Sequence, residues 1–194
     1  MISISALRQF NWVDICVVII LIRIGYVAMR TGLPVELFKL LGTLSAIYLS
    51  CHYYSRFSDF LAARIGSGGF VFKFLDIFSF LIFAMAGYLV FVLLRSLVYR
   101  FMKLEATPRL NQWGGFLLGA GRAILAASLI ILILAVSPLG YLKHSVKNAY
   151  SGGYLLKTAT NTYSFLYNGI ISKFAANEKF NIAIINVQAG IFQQ

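Results

Sequence analysis

The sequence predicts an all-α membrane protein, a polytopic bundle of four transmembrane helices. Three observations carry that prediction. Hydrophobic residues make up 60% of the 194 and charged residues only 12%, where a soluble domain carries about a quarter charged residues. The apolar residues fall in four long runs, about 12–29, 35–54, 70–94 and 113–136, each near the roughly 20 residues a helix needs to cross a bilayer core. The 17 Lys and Arg sit in ones and twos, mostly at the ends of those runs. That distribution suits a bilayer boundary and anionic lipid, and it argues against a nucleic-acid-binding stripe.

The first span opens on Trp12 as an interfacial anchor, with Asp14 just inside it and Arg23 well within. Its charge-free core, 15–22, has the length of a signal-peptide core, but no A-x-A-like site follows. A retained span is expected, tilted or broken near Gly25. Thr31-Gly32-Leu33-Pro34 reads as a compact turn whose proline suits the opening of the next helix.

The second span carries Glu36 and Lys39 in its first turn and ends in Tyr53-Tyr54. Gly42, Ala46 and Ser50 form a small-residue ridge at spacing four. The stretch 55–69 is polar and ends in Gly66-Ser67-Gly68-Gly69, a flexible connection whose first part has the pattern of a short interfacial helix. In the third span Lys73 and Asp76 stand one turn apart, placed to neutralise each other, and 77–94 is uncharged. Residues 95–112 form a basic connection, with Arg95, Arg100, Lys103 and Arg109 against Glu105.

The fourth span holds a single charge, Arg122. Gly115, Gly119, Arg122 and Ala126 return to one helical face, and small residues so spaced let helix backbones approach closely. Two readings of Arg122 stand side by side. One aims it at protein, with Glu36 as the first expected partner and Asp14 the second. The other has it snorkel to the headgroups. The ridges beginning at Gly42 and Gly115 are expected to meet. Pro138 and Gly140 stop the span, leaving a basic, partly amphipathic tail, 141–194. There Leu155, Ala159, Tyr163, Leu166, Ile170 and Phe174 recur at helical spacing, as in a helix lying on the membrane or on a partner protein. Residues 180–194 show no period.

Orientation rests on the basic residues. The first and third connections with their flanks carry Arg23, Arg30, Lys39, Arg95, Arg100, Lys103 and Arg109. The other side carries Arg8, Arg56, Arg64, Lys73, Lys143 and Lys147. The denser set is expected in the cytoplasm, which puts both termini outside it.

No catalytic centre is expected, and no cofactor or metal. His52 and His144 belong to no metal-ligand spacing, and no phosphate-binding glycine loop is present. Gly66-Ser67-Gly68-Gly69 is not G-x-S-x-G. The six acids are separated in sequence, and Cys16 and Cys51 are isolated thiols within apolar runs, suited to packing.

Several motifs together resemble the bacterial colicin V production protein family (CvpA). Asn11-Trp12-Val13-Asp14 is similar to that family's aromatic-x-Asp opening of its first span. Gly25-Tyr26 through Arg30-x-Gly32, then Glu36 and Leu40-Leu41-Gly42, resembles its glycine-and-arginine hairpin followed by a glutamate. Leu110-Asn111-Gln112-Trp113-Gly114-Gly115 to Gly119 and Arg122 resembles its leucine-rich lead into Gly, Gly and Arg of the final span. Ser145 matches a serine of the tail. The chain departs from the pattern at Asn111, where an acid is common, and at Pro34.

The resemblance covers about 11–145. It implies a small, multi-pass, non-enzymatic protein of the bacterial inner membrane, linked to toxin production or secretion and to envelope homeostasis. The partners implied are secretion or envelope proteins, or further copies of the chain. The residues singled out are Asp14, Arg23, Gly25, Arg30, Gly32, Glu36, Gly42, Gly115, Gly119 and Arg122. Charges inside spans are costly, and they leave a second function open: a small oligomeric channel or transporter whose Asp14, Arg23, Glu36 and Arg122 line a polar path.

Overall fold

The computed structural model describes residues 11–65, 74–101, 107–175 and 177–192. Among them there is no strand. Four helices are long and apolar enough to cross a membrane: α1 (Trp12–Thr31), α2 (Leu33–Ile65), α3 (Leu75–Phe101) and α4 (Pro108–Val136). Three shorter helices follow, α5 (Gly140–Asn148), α6 (Gly152–Leu166) and α7 (Ala183–Phe192). A π-helical turn, Tyr167–Ile171, and a single turn, Ser172–Phe174, lie between the last two.

The start of α1 is fixed by its own sequence. Asn11 Oδ1 accepts from Trp12 N at 2.7 Å, and Asn11 and Asp14 form a reciprocal capping box, the Asn11 side chain accepting from the Asp14 backbone N–H and Asp14 Oδ2 from Asn11 N at 3.1 Å, which satisfies otherwise orphaned donors. The helix runs unbroken through Gly25, where nothing lies within 4 Å of an added Cβ. It ends at Gly32, whose φ of 83° favours a residue without Cβ. The next helix begins at once, with Pro34 in its first turn, where a missing N–H costs nothing.

Beyond Tyr54, α2 continues unbroken to Ile65, so the stretch expected as a separate short interfacial helix is the end of the second long helix. Packing against α3 explains the extension: Tyr54 meets Phe80, and Phe57 meets Phe83 edge-on. The sequence Gly66-Ser67-Gly68-Gly69, along with Lys73, Lys103 and Glu105, lies outside the described residues.

The two small-residue ridges do not meet. Gly42 faces Tyr88 and Phe91 of α3, and a Cβ on Gly87 would stand 2.8 Å from backbone atoms of Ser45 and Ala46. The ridge on α4 packs instead on the end of α1, with Gly115 against Ala28 O and Gly32 and with Gly119 against Ala28. The reason is angular. Gly42 is six residues beyond Glu36, which at about 100° per residue turns it roughly 120° around the helix. Glu36 faces α4, so Gly42 faces α3.

The tail belongs to the same core. Val146, Leu155, Leu156, Ala159, Tyr163, Ile184 and Ile191 join Val13, Ile47, Phe80, Ile131 and Leu132 in one buried cluster. The apolar face of α6 therefore packs on the bundle itself. Its period fails after Leu166: the π-helical turn widens the helix by a residue and breaks the phase, leaving Ile170 and Phe174 exposed. Helix α7 falls where the sequence shows no period. Cys51 is buried and Cys16 exposed, both as free thiols.

Candidate functional site

Antiparallel helices place the polar residues at two opposite ends of the bundle. The turn end holds Gly32 and the start of α4; the tail end holds Trp12, the far end of α2, and α5–α7.

At the turn end the organising group is Glu36, fully buried in the first turn of α2. Its Oε1 accepts from Thr31 Oγ1 and from Lys39 Nζ, both at 2.6 Å, and its Oε2 accepts from Arg122 Nε at 2.8 Å. Gly119 lets α1 and α4 close together beside this bond. It lies one turn before Arg122, and the position of its absent Cβ is 3.6 Å from Glu36 Oε2. That is ordinary contact; the group an added Cβ would strike is the Ala28 methyl, so any side chain there would push α4 away from α1. Arg122 is thus tied to protein, with 8% of its surface exposed. Asn111 braces the same end: its Oδ1 accepts from Leu33 N at 2.8 Å, and its amide occupies the space a Gly32 side chain would need. One carboxylate here pairs with two cations, and both of its oxygens are engaged.

At the tail end Asp14 is buried and holds together segments far apart in sequence. Besides Asn11 N, it accepts from Tyr150 N at 3.1 Å, Ser151 N at 2.8 Å and Ser151 Oγ at 2.6 Å. Ser145 supports the junction, accepting from Trp12 Nε1 through its hydroxyl at 3.1 Å and from Asn11 Nδ2 through its carbonyl at 2.9 Å. Trp12 stacks on Tyr141 at 4° between ring planes. Asp14 is therefore no partner of Arg122: its bonds go to Asn11, Tyr150 and Ser151.

A family model described as Colicin V production protein matches residues 13–160. The chain belongs to the colicin V production protein family. With four helices of spanning length, it is a multi-pass membrane protein. No curated protein matches it, and neither does any solved structure. The match takes in both polar ends, from the Asp14 junction to the Glu36–Arg122 pair.

Within this family member, Gly32, Glu36, Gly115, Gly119 and Arg122 converge on the turn end. Thr31, Lys39 and Asn111 complete that site. Lys39 had a signal, its i,i+3 spacing from Glu36, and Asn111 had one in its departure from the family's acid. Arg23, Gly25, Arg30 and Gly42 join neither site. Arg23 and Arg30 are exposed, and the Arg30 guanidinium lies 4.6 Å from the centre of the Tyr26 ring. Asp14, Arg23, Glu36 and Arg122 do not line one path through a single copy. Among the described residues, no group of His, Cys, Asp and Glu is placed to hold a metal ion.

A third cluster has no counterpart in the sequence reading. His52, fully buried near the tail end of α2, has Nδ1 3.0 Å from Tyr163 Oη and Nε2 3.0 Å from Glu178 Oε2. Arg56 Nη1 donates to the same Glu178 oxygen at 2.8 Å. Bonds from His52 and Arg56 hold the Glu178 carboxyl below its ordinary value, while burial pushes the Tyr163 phenol up to about 12. Tyr163 and Glu178 lie beyond the region that the family model covers.

Proposed function

We propose that this chain is a non-enzymatic protein of the bacterial inner membrane that supports production or secretion of a peptide toxin, and with it envelope homeostasis. The family match across all four spans carries this reading. The state of the buried charges supports a structural rather than a reactive interior: Glu36 is held by three donors and Asp14 by four. In this reading the first and third connections face the cytoplasm, anionic lipid surrounds the bundle, and the partners are secretion or envelope proteins or further copies of the chain.

The test is export of a colicin V-type toxin by a bacterium deprived of its own family member, supplied with this chain or with Arg122→Gln. Wild type should restore the zone of growth inhibition, and the variant should restore less of it while still reaching the membrane. Equal zones with and without the chain would overturn the proposal. Solute flux through vesicles holding the purified protein, lost in Arg122→Gln, would replace it with a channel or transporter.

A further inference from the structure

Arg122 is buried against Glu36, but Arg23 is left exposed and, among the described residues, without a hydrogen bond or an ion pair. It stands eleven residues after Trp12 and eight before Thr31. At about 1.5 Å per residue its Cα lies about 16 Å from one end and about 12 Å from the other, in a helix roughly as long as the bilayer core is thick. Either boundary is farther than an arginine side chain extends. Side chains on a helix lean toward its N-terminus, so Arg23 leans across the centre of the span and away from the nearer boundary. Its geometry works against snorkelling, and a charge at this depth is costly unless it pairs.

The packing of α1 leaves room for a partner. It is an edge helix, packed on α4 and only lightly on α2 and α5. Its buried face carries Val13, Val17 and Ala28. Arg23 follows Val17 by six residues, which turns it roughly 120° away from that face. Cys16, Ile19, Arg23, Tyr26 and Arg30 are all exposed, and they recur at alternating steps of three and four residues. That is the spacing of a seam against which a second helix packs.

We propose that this seam of α1 is a docking face for a membrane-spanning helix of a different protein, one that carries an Asp or Glu at mid-depth to take Arg23. The docking face rests on the proposed function only for the existence of a partner within the membrane, and it needs no toxin. Charge complementarity selects the occupant: the apolar members of the seam would pack against any helix, but Arg23 accepts only one with an acid at its level.

A second copy of the chain does not meet that condition. Copies in one membrane share an orientation, so a two-fold contact along α1 would set Arg23 against Arg23. Any other face of a second copy would have to offer an acid at mid-depth. Among the described residues the acids lie toward the ends of the bundle. Glu36 bonds to Thr31 at the turn end, Asp14 is in the first turn of α1, and Asp59, Asp76 and Glu178 are at the tail end.

The experiment places the purified full chain in phosphatidylcholine vesicles with a synthetic leucine-rich transmembrane peptide. The peptide has one Asp at its centre and one Cys seven residues before it, the spacing from Cys16 to Arg23. Under copper phenanthroline, the mixed disulfide with exposed Cys16 reads docking, while Cys51 is buried and stays silent. The Asp peptide should cross-link about tenfold more than a peptide with Leu at its centre, the scale of a polar contact between membrane helices. Arg23→Leu should remove the difference and keep the wild-type thermal midpoint. Equal yields from the two peptides on wild type overturn the proposal, as does an advantage that survives Arg23→Leu. A Cys16–Cys16 dimer as the main product beside the Asp peptide also overturns it and gives the face to a second copy. If the variant loses its thermal midpoint, the two peptides on wild type decide. Toxin export is read separately, by the inhibition zone, so either proposal can fail without the other.

Discussion

Arg122 Nε donates to Glu36 Oε2 at 2.8 Å, and this bond joins the middle of α4 to the first turn of α2. Glu36 also receives Lys39 and Thr31, so the two partners of the ion pair are unequal. Arg122 depends on the carboxylate, whereas the carboxylate has other donors.

Glu36→Gln should therefore cost more than Arg122→Gln. Breaking a buried pair from one side costs about 3–5 kcal/mol. The glutamate variant should lie in that range, since it leaves Arg122 and Lys39 without their acid. The arginine variant should lie below it, because Lys39 and Thr31 remain on the carboxylate. The double variant should lose less than the two singles added together. Denaturant unfolding of the purified protein measures all three, and strict additivity would mean that the pair does not couple.

The glycines of α4 should separate by sign. A Cβ on Gly115 would stand 2.9 Å from Ala28 O and 3.0 Å from Gly32 C, so Gly115→Ala forces backbone apart and should cost about 1–3 kcal/mol. Gly121 has nothing within 4 Å of an added Cβ. There the same change should be neutral or stabilising by up to about 1 kcal/mol, from helix propensity alone. Equal shifts in thermal midpoint would place the Gly115 face away from α1.

How much of this was legible in the sequence depends on the range of the interaction. The four spans were legible because hydropathy is a property of each run by itself. The Glu36–Arg122 pair was legible because a charge deep in a span needs an acid, and few acids are available. Which ridge meets which was not, since facing depends on the order of helices around α2: Glu36 and Gly42 share a helix yet face different neighbours. The His52 cluster was hidden by distance along the chain, 111 residues to Tyr163 and 126 to Glu178. Helix α7 was hidden because its exposed face, with Ile182, Ile185 and Phe192, is apolar too and blurs the helical spacing of Ile184, Val187 and Ile191 on the core side.

Topology should follow the basic residues. Reporter fusions after Gln194 and within 95–112 should score on opposite sides, the latter cytoplasmic. Matching sides would remove a span, and a non-cytoplasmic signal within 95–112 would invert the molecule and place the Asp14 junction in the cytoplasm.

Asp14 is expected to fasten the tail. It reaches Ser151, 137 residues away, through both backbone and hydroxyl, and its Oδ2 takes Asn11 N and Tyr150 N together. An asparagine keeps one acceptor oxygen and turns an NH₂ group toward donors. Asp14→Asn should therefore cost about 1–3 kcal/mol, the penalty for leaving buried polar groups unmatched. Ser151→Ala removes one of the four bonds and should cost less. Limited proteolysis reads the effect directly: cleavage between α5 and α6, at Ala149-Tyr150-Ser151, should quicken in Asp14→Asn while the four spans stay protected. A tail as resistant as wild type in that variant would show that the buried contacts of Val146, Leu156 and Tyr163 hold it without the carboxylate.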